Sequence, residues 1–401
     1  MFKNLSLDKA YQLLLIILAF LIPLTVFGAN LIIVIICVLW LSTGDYKVKL
    51  NQIIKNDLMK ASILFFSLHL VGLLWTQDLS WGLHIVHKMW YFLLLLPILF
   101  TLVKKENIRL YISAFLLAIT LTEVISYLVW FEIIGHFKHA STRNPTPFMT
   151  HISYNPILAF AIYLVLHEIF FNKKLTNLLF SCYCFFAISM SINMFITGGR
   201  AGQVGFFVMI AVLIFQVLEH RRIKSFILIL ILIPGIFVAA YQTSHLFQQR
   251  VDMAVNGITN FTSESGGQDS VGLRINFAVN SWEVFLKNPI IGVGTGDFPV
   301  EYSKVNKINS PQLGDTTNPH NMYTLILVQF GLVGLVSLLS IFYYQLKISF
   351  NSSNKFIKDV GATLPIMFLV MMLSDSYLLG HFTTLMFVFF SSFLYKDFES
   401  N

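Results

Sequence analysis

His320 and Asn321 stand where a long polar stretch of the chain gives way to an apolar one, and Gly331 and Gly334 follow within that apolar stretch. A neutral histidine can accept a proton near pH 7, so His320 is a candidate general base. An ionisable group at the edge of a membrane segment is costly to place unless a function uses it. The alternative is structural: His320 and Asn321 cap a helix, and the two glycines form a small-residue packing face.

Arg200 follows Gly199 in a glycine-rich turn between two apolar stretches. Glycine lets a ligand approach the backbone closely, and a helix that begins here offers free N–H groups to an anion. The guanidinium of Arg200 would complete a phosphate site because it binds phosphate through two parallel hydrogen bonds. The alternative is an arginine that reaches from the helix end to the membrane interface.

Arg274 lies in the long polar stretch, just before a segment whose apolar spacing from Phe277 to Phe285 predicts a helix. Trp282, eight residues after Arg274, would lie on nearly the same face of that helix. Three glycines at alternate positions, 292, 294 and 296, are similar to a phosphate loop. No Lys-Ser/Thr pair follows them and no Rossmann strand precedes them, so a nucleotide site is not favoured. A solvated Arg274 is the alternative.

Lys88 lies in an apolar stretch beside His84 and His87. A lysine in such a helix usually faces a partner or an anion. The two histidines have the spacing to share a metal ion, but no third ligand follows at a suitable distance. The acids of the long polar stretch are scattered rather than paired, which does not favour Mg²⁺ or Mn²⁺. We therefore expect neither a metal site nor any other cofactor.

The elements that position these residues are membrane helices. Of the 401 residues, 56% are hydrophobic and 12% are charged, and the mean hydropathy is +0.73; a soluble domain carries about 25% charged residues. The apolar stretches are long enough to cross a bilayer and do not alternate as barrel strands do. The sequence predicts an all-α polytopic membrane protein with about 12 transmembrane helices, at 10–28, 29–43, 60–76, 84–103, 109–131, 153–171, 175–197, 202–218, 224–241, 321–347, 360–377 and 379–396.

The basic residues predict the orientation of these helices. Of the 27 lysines and arginines, 18 lie at the termini or in alternate loops on one side, which predicts that both termini are cytoplasmic. The net charge of +7 arises largely from these loops, so nucleic acid is not an expected partner. Residues 242–320, between predicted spans 9 and 10, form the longest connection, and we expect a partly structured loop on the opposite side. Residues 1–401 are predicted to form a single integral membrane domain.

The candidate residues Arg200, Arg274, Lys88 and His320 all fall on the side opposite the basic loops. That side faces away from the cytoplasm and has no ATP. A group of cations with one histidine on that side suits a substrate that carries a lipid-linked diphosphate. Cleavage of the bond to that diphosphate supplies the driving force, so the reaction does not need ATP. The lipid bilayer and a lipid-linked substrate are therefore the expected partners.

The chain resembles the O-antigen ligase and O-antigen polymerase superfamily of bacterial envelope glycosyltransferases. The resemblance rests on His320-Asn321 with Gly331 and Gly334, on the Arg-Ala-Gly turn at Arg200, on the run 273–294 and on the twelve spans with one large loop. It implies a metal-independent, inverting transfer of a glycan from undecaprenyl diphosphate to lipid A–core oligosaccharide at the periplasmic face of the bacterial inner membrane.

The resemblance also implies roles for single residues. Arg200 and Arg274 would hold the diphosphate, and His320 would be the catalytic base. Lys88 is added to the diphosphate-binding residues for its position and charge alone. The supporting residues are Asn321, Gly331, Gly334, Gly199 and Trp282.

Two other functions remain open. A polymerase of O-antigen or capsule repeats would use the same donor with a different acceptor, and residue chemistry does not separate it from a ligase. A non-catalytic transporter of lipid-linked glycans is less favoured, because many transporters are built from two related halves and no internal repeat is visible. A structural envelope protein would not need His320.

Overall fold

The computed structural model describes residues 7–259 and 270–398, and in these the regular structure is helical apart from two isolated β-bridges. In chain order the α-helices are α1 Leu7–Leu21, α2 Val26–Ser42, α3 Tyr46–Lys55, α4 Asp57–Val71, α5 Leu79–Trp90, α6 Leu96–Leu102, α7 Ile108–Trp130, α8 His151–Phe171, α9 Asn177–Ile196, α10 Arg200–Val217, α11 Arg222–Thr243, α12 His245–Thr259, α13 Ser270–Lys287, α14 Phe298–Asn309, α15 Met322–Asn351, α16 Lys355–Met371 and α17 His381–Leu394.

The helices confirm an all-α polytopic membrane protein, but not the predicted number of spans. In the described ranges, eight helical segments are long and apolar enough to cross a membrane, and nine if the bent pair α2 and α3 counts as one span. The predicted spans 10–28, 29–43, 360–377 and 379–396 coincide with helices of 14 to 17 residues. The helices at 10–28, 360–377 and 379–396 are shorter than the predicted spans, whereas α2 is longer than the predicted span 29–43.

The chain forms two compact units. The first unit comprises the residues up to Val38, Val103–Val251 and Ile366–Met371. The second unit comprises Leu39–Leu102, Asp252–Pro365 and the residues from Met372 onward. The predicted site residues are divided between them: Arg200 and Gly199 belong to the first unit, and the others belong to the second.

In the second unit, α15 is interrupted at Gly331, which has φ 61° and ψ −154°. The break frees two N–H groups of α15, and Leu332 and Val333 donate them to the carbonyls of Pro289 and Ile290. A β-carbon on Gly331 would lie 2.3 Å from the carbonyl carbon of Ile290. Only glycine therefore fits where the segment after α13 crosses α15.

The glycines of the 292–296 segment also allow close contacts between backbone segments. A β-carbon on Gly292 would lie 2.3 Å from backbone atoms of α15, and one on Gly296 would lie 2.5 Å from the backbone nitrogen of Gly82. The buried carboxylate of Asp297 accepts hydrogen bonds from the Thr76 hydroxyl at 2.6 Å and the Gln77 N–H at 2.7 Å. These glycines therefore permit close backbone packing, which accounts for their alternation without a nucleotide.

In the first unit, α8 and α10 meet at small residues. A β-carbon on Gly202 would lie 2.4 Å from the backbone carbonyl carbon of Asn155. The buried Asn155 side chain accepts a hydrogen bond from the Thr197 hydroxyl at 2.9 Å, just before α10 begins. This contact fixes the end of α9 against α8, and it thereby sets the position of the turn that carries Arg200.

Candidate active site

His320 lies immediately before α15 in a conformation that is unusual for its residue type. Its φ is 52°, in the left-handed region that few non-glycine residues adopt. Its backbone N–H donates to the Asn318 side-chain oxygen at 3.0 Å. The same oxygen accepts a hydrogen bond from the Ser376 hydroxyl at 2.8 Å. The local hydrogen bonds therefore hold His320 in a strained backbone conformation, a feature that is enriched at active sites.

The imidazole of His320 faces a carboxylate that the sequence reasoning missed. Nδ1 of His320 lies 3.3 Å from Oδ1 of Asp375, and the side chains are 37% and 13% exposed. The Ser376 N–H also donates to Oδ1 at 2.7 Å, which fixes the carboxylate. Asp375 sits within the predicted span 360–377, and an ionisable residue inside a predicted span was the signal that could have found it.

Asn321 is the N-terminal cap of α15. Its side-chain oxygen accepts a hydrogen bond from the Thr324 N–H at 3.0 Å, and its amide nitrogen donates to the Leu373 carbonyl at 3.1 Å. The Met322 N–H donates to the Met372 carbonyl at 2.9 Å. These hydrogen bonds therefore hold the start of α15 against the segment that contains Asp375. Asn321 is the capping residue, and the His320 side chain is left to face Asp375.

Arg274 belongs to the same site through α13. The structure corrects its predicted position, because α13 begins at Ser270 and includes Arg274 rather than starting after it. The rings of Phe277, on this helix, and His320 are stacked, with centroids 6.1 Å apart and planes at 25°. The hydroxyl of Tyr377 lies within electrostatic reach of both Arg274 and Asp375. A half-buried guanidinium, an imidazole and a carboxylate are thus gathered within the second unit.

The segment that precedes His320 is anchored at Asp315. Its carboxylate accepts hydrogen bonds from the Ser303 hydroxyl at 2.7 Å and the Asn306 amide at 3.0 Å, and these bonds hold the pKa of Asp315 below its usual range. Both donors lie on α14. Helix α14 therefore sets the path of the chain toward His320.

The structure does not connect Trp282 or Lys88 to His320 by a ring contact, hydrogen bond or ion pair among the described residues. The Trp282 side chain is 53% exposed, and its ring lies 4.9 Å from that of Phe285. Lys88 is half-buried near the end of α5, and no hydrogen bond or ion pair involves it in the described ranges. Their roles as supporting and diphosphate-binding residues stay predictions.

Gly331 and Gly334 act through packing. Gly331 accommodates the crossing described above. A β-carbon on Gly334 would lie 2.3 Å from Cβ of Phe330, whose ring packs edge-on against His69 with centroids 4.6 Å apart. The spacing of these glycines after His320 thus reflects the geometry of α15, as the structural alternative for this motif predicts.

In the first unit, Arg200 is the first residue of α10 and Gly199 is its capping position. A β-carbon on Gly199 would lie 2.5 Å from the His151 carbonyl oxygen. Arg200 and Arg250 both lie within electrostatic reach of the His151 ring. Arg250 is a second residue that the sequence reasoning missed, although it is one of the few basic residues in the 242–320 connection.

In the described residues the chain is a polytopic α-helical membrane protein whose second unit holds an imidazole–carboxylate pair, with Arg274 on helix α13 of the same unit. Residues 185–339 match the family model described as "O-Antigen ligase". The predicted resemblance is thereby confirmed over this segment, which contains Arg200, Arg274, His320, Gly331 and Gly334. Lys88 and Asp375 lie outside the matched residues.

One bacterial protein is also similar to part of this chain. An uncharacterized protein of Haemophilus influenzae (strain ATCC 51907 / DSM 11121 / KW20 / Rd) is 28% identical over 210 residues, which are 50% of this chain and 51% of that protein. The similarity thus spans about half the length of that relative.

Proposed function

We propose that this protein is an O-antigen ligase that transfers a glycan from undecaprenyl diphosphate to lipid A–core oligosaccharide. The observation that carries the proposal is the imidazole of His320 held against the carboxylate of Asp375, at a position inside the segment that matches the ligase family. A base oriented by a carboxylate suits removal of a proton from an acceptor hydroxyl.

The proton transfer uses the two ring nitrogens of His320 differently. Nδ1 lies 3.3 Å from the carboxylate of Asp375. Because a carboxylate can only accept, the reacting tautomer in this proposal carries hydrogen on Nδ1, and Nε2 keeps its lone pair for the acceptor hydroxyl. As Nε2 takes the proton, the acceptor oxygen bonds to the anomeric carbon of the donor glycan. The bond from that carbon to the phosphate oxygen breaks, and its electron pair leaves with undecaprenyl diphosphate. Attack opposite the leaving group inverts the anomeric configuration.

The arginines stabilise the negative charge that develops on the leaving diphosphate. Arg274 supplies a guanidinium to the site of His320 in the second unit, and Arg200 supplies one at the start of α10 in the first. Fixed guanidinium groups act on developing charge without a metal ion. Lys88 adds a further positive charge to the same substrate group.

The proposed location is the bacterial inner membrane, with both termini in the cytoplasm and the active site facing the periplasm. Support comes from the basic residues, which cluster in the alternate loops expected to be cytoplasmic, and from the apolar helices. Residues 242–320 then form the periplasmic connection, in which α12, α13 and α14 lie.

Deletion of the gene tests the proposed function and separates it from its rivals. A ligase mutant should lack all O-antigen on its lipopolysaccharide while undecaprenyl-linked polymer accumulates. Cores that carry a single repeat would instead identify a polymerase. Accumulation of lipid-linked glycan on the cytoplasmic side would identify a transporter.

A further inference from the structure

The chain after α13 meets α15 far from the start of that helix. The Leu332 N–H donates to the Pro289 carbonyl at 2.9 Å. The Val333 N–H donates to the Ile290 carbonyl at 3.2 Å. Helix α15 begins at Met322 and is one of the segments that can span a membrane. At a rise of about 1.5 Å per residue, Leu332 lies about 15 Å along the helix from Met322.

The length of α15 places this contact at the level of the membrane. Its 30 residues make a helix of about 45 Å, whereas the hydrocarbon core of a bilayer is about 30 Å thick. If all of the excess length lay at the Met322 end, Leu332 would lie at the edge of the hydrocarbon. Part of the excess lies at the other end, because Lys347 is costly to place in hydrocarbon. Pro289 and Ile290 are thus level with the hydrocarbon, although they belong to the long polar connection.

The backbone of residues 288–294 is suited to that depth. Irregular backbone is tolerated in the hydrocarbon region only where protein groups pair with it. The Val293 N–H donates to the Val328 carbonyl at 2.9 Å, which belongs to α15. The Gly294 N–H donates to the Gln329 carbonyl at 3.0 Å. The segment therefore reaches the level of the hydrocarbon with these backbone groups paired to a spanning helix.

Apolar side chains are exposed on α13 and directly after it. Val279, Trp282 and Leu286 recur at intervals of three and four residues, so they share one face of α13. Ile290 and Ile291 follow at the contact with α15. In the described ranges each of the five side chains is 53% to 65% exposed. These five residues are called the α13 surface.

The charged residues of this part of α13 lie on a different face. Glu283 and Lys287 are four residues apart and therefore close together on the helix. The Glu283 carboxylate accepts a hydrogen bond from the Asn309 amide at 2.8 Å, at the end of α14. A helix with separate apolar and charged faces is typical of segments that lie in the membrane interface. Tryptophan, here Trp282, is enriched at the same level of a bilayer.

The α13 surface continues into a part of α15 that faces lipid. Leu332, Val333 and Val336 are exposed on this spanning helix, so lipid surrounds their side chains. The first two of them are joined by hydrogen bonds to the chain that enters the α13 surface. A groove of about 480 Å³ lies between α13 and α15, and its walls include Val279 and Trp282. Lipid around α15 would thus also meet the α13 surface.

We propose that the α13 surface is embedded in the bilayer leaflet in which α15 begins, with Ile290 and Ile291 among the acyl chains and Trp282 at the level of the headgroups. Continuity with the lipid-facing side of α15 selects lipid as the occupant. The ring of Phe277, on the same helix, stacks on that of His320. The embedded helix therefore holds the candidate active site beside the bilayer surface. The inference needs α15 as a spanning helix and does not need the proposed glycan transfer.

Spin-label accessibility in the full-length protein tests this location. The three native cysteines are replaced by alanine, single cysteines are introduced and labelled, and the protein is reconstituted in liposomes of phosphatidylethanolamine and phosphatidylglycerol. Oxygen concentrates in hydrocarbon, whereas nickel ethylenediaminediacetate stays in water. The ratio of collisions with these two reagents therefore reports the surroundings of the label. Leu286→Cys and Ile290→Cys should give a ratio as high as that of Val336→Cys on α15.

Matched positions separate the embedded face from the rest of α13. Glu283→Cys and Lys287→Cys change the charged face of the same helix, so they should give lower ratios than Trp282→Cys and Leu286→Cys. Gly314→Cys sets the ratio expected in water, because a β-carbon there meets nothing within 4 Å and the glycine is exposed in a polar segment.

Two results would overturn the proposal. Ratios at Leu286→Cys and Ile290→Cys equal to that of Gly314→Cys would show that both labels are in water. Few collisions with either reagent would show that a protein partner covers the α13 surface instead of lipid. The measurement is independent of glycan transfer. An embedded α13 surface in a protein that transfers no glycan would contradict only the ligase proposal, and glycan transfer with both labels in water would contradict only the embedded surface.

Discussion

Nδ1 of His320 lies 3.3 Å from Oδ1 of Asp375, although 55 residues separate them in the chain. The distance is at the long end for a hydrogen bond. The carboxylate favours the tautomer with hydrogen on Nδ1, and it stabilises the imidazolium that forms when Nε2 takes a proton. The pair is therefore suited to general base catalysis.

Asp375→Asn should reduce glycan transfer by at least about 10²-fold, the lower bound expected when a general base loses its function. The amide has nearly the shape of the carboxylate, but its N–H₂ group favours the wrong tautomer of His320. Initial rates with purified protein at matched concentration check this. Glu106→Gln, which changes an exposed carboxylate of the first unit, should stay within about twofold. Equal losses in the two variants would contradict a specific role of Asp375.

The helix from Phe277 to Phe285 shows which structural features can be predicted from the sequence alone. Its apolar spacing was sufficient to predict that part of α13. His320 and Arg274 could be selected as candidate site residues from their type and position. Asp375 was not, because its partner is set by the fold: the cap at Asn321 and the Leu373 carbonyl bring the two segments together. Periodicity within one helix cannot predict such a contact.

The alternating glycines show a second limit of prediction from the sequence alone. Glycine at 292 and 296 is explained equally by a bound phosphate and by close backbone packing, and only the position of α15 and Gly82 decides for packing. The overestimated spans have a similar cause, because hydropathy records composition while the end of a helix depends on backbone hydrogen bonds. Arg250 was missed because its neighbour Gly198 lies 52 residues away.

Gly331→Ala should destabilise the protein by about 1–3 kcal/mol from backbone strain alone, because φ 61° with ψ −154° is accessible essentially to glycine. The added β-carbon would also displace the Ile290 backbone. Thermal unfolding of purified protein should show a lower midpoint. Gly314→Ala is the matched control, since a β-carbon there meets nothing within 4 Å. An unchanged midpoint for Gly331→Ala would show that the crossing at α15 does not need glycine.

Glycan transfer by purified protein should continue in excess chelator. Arginines supply the positive charge that a divalent cation provides in other glycosyl transfers, so removal of Mg²⁺ or Mn²⁺ should not change the rate. Transfer is measured before and after addition of ethylenediaminetetraacetate. Loss of activity that Mg²⁺ or Mn²⁺ restores would contradict the proposed mechanism and would make His84 and His87 candidate ligands.

The topology predicts which positions an impermeant thiol reagent reaches in intact cells. Single cysteines at Lys55, Lys105 or Lys355 should be protected, because these basic positions are expected in the cytoplasm. Cysteines in Glu264–Asp269, which lies outside the described residues, should be labelled because the 242–320 connection is expected in the periplasm. Permeabilised cells provide the control for reactivity. Labelling of two cytoplasmic positions in intact cells would reverse the orientation.

Transfer by purified His320→Ala protein, given a lipid-linked glycan donor and a lipid A–core acceptor, tests the central claim most directly. The wild type should form the ligated product, and His320→Ala should fall by about 10²–10⁴-fold, the usual contribution of a general base. Binding of undecaprenyl diphosphate and the thermal midpoint should be unchanged, which shows that the variant is folded. Near-wild-type transfer by folded His320→Ala protein would contradict the assignment of His320 as the catalytic base.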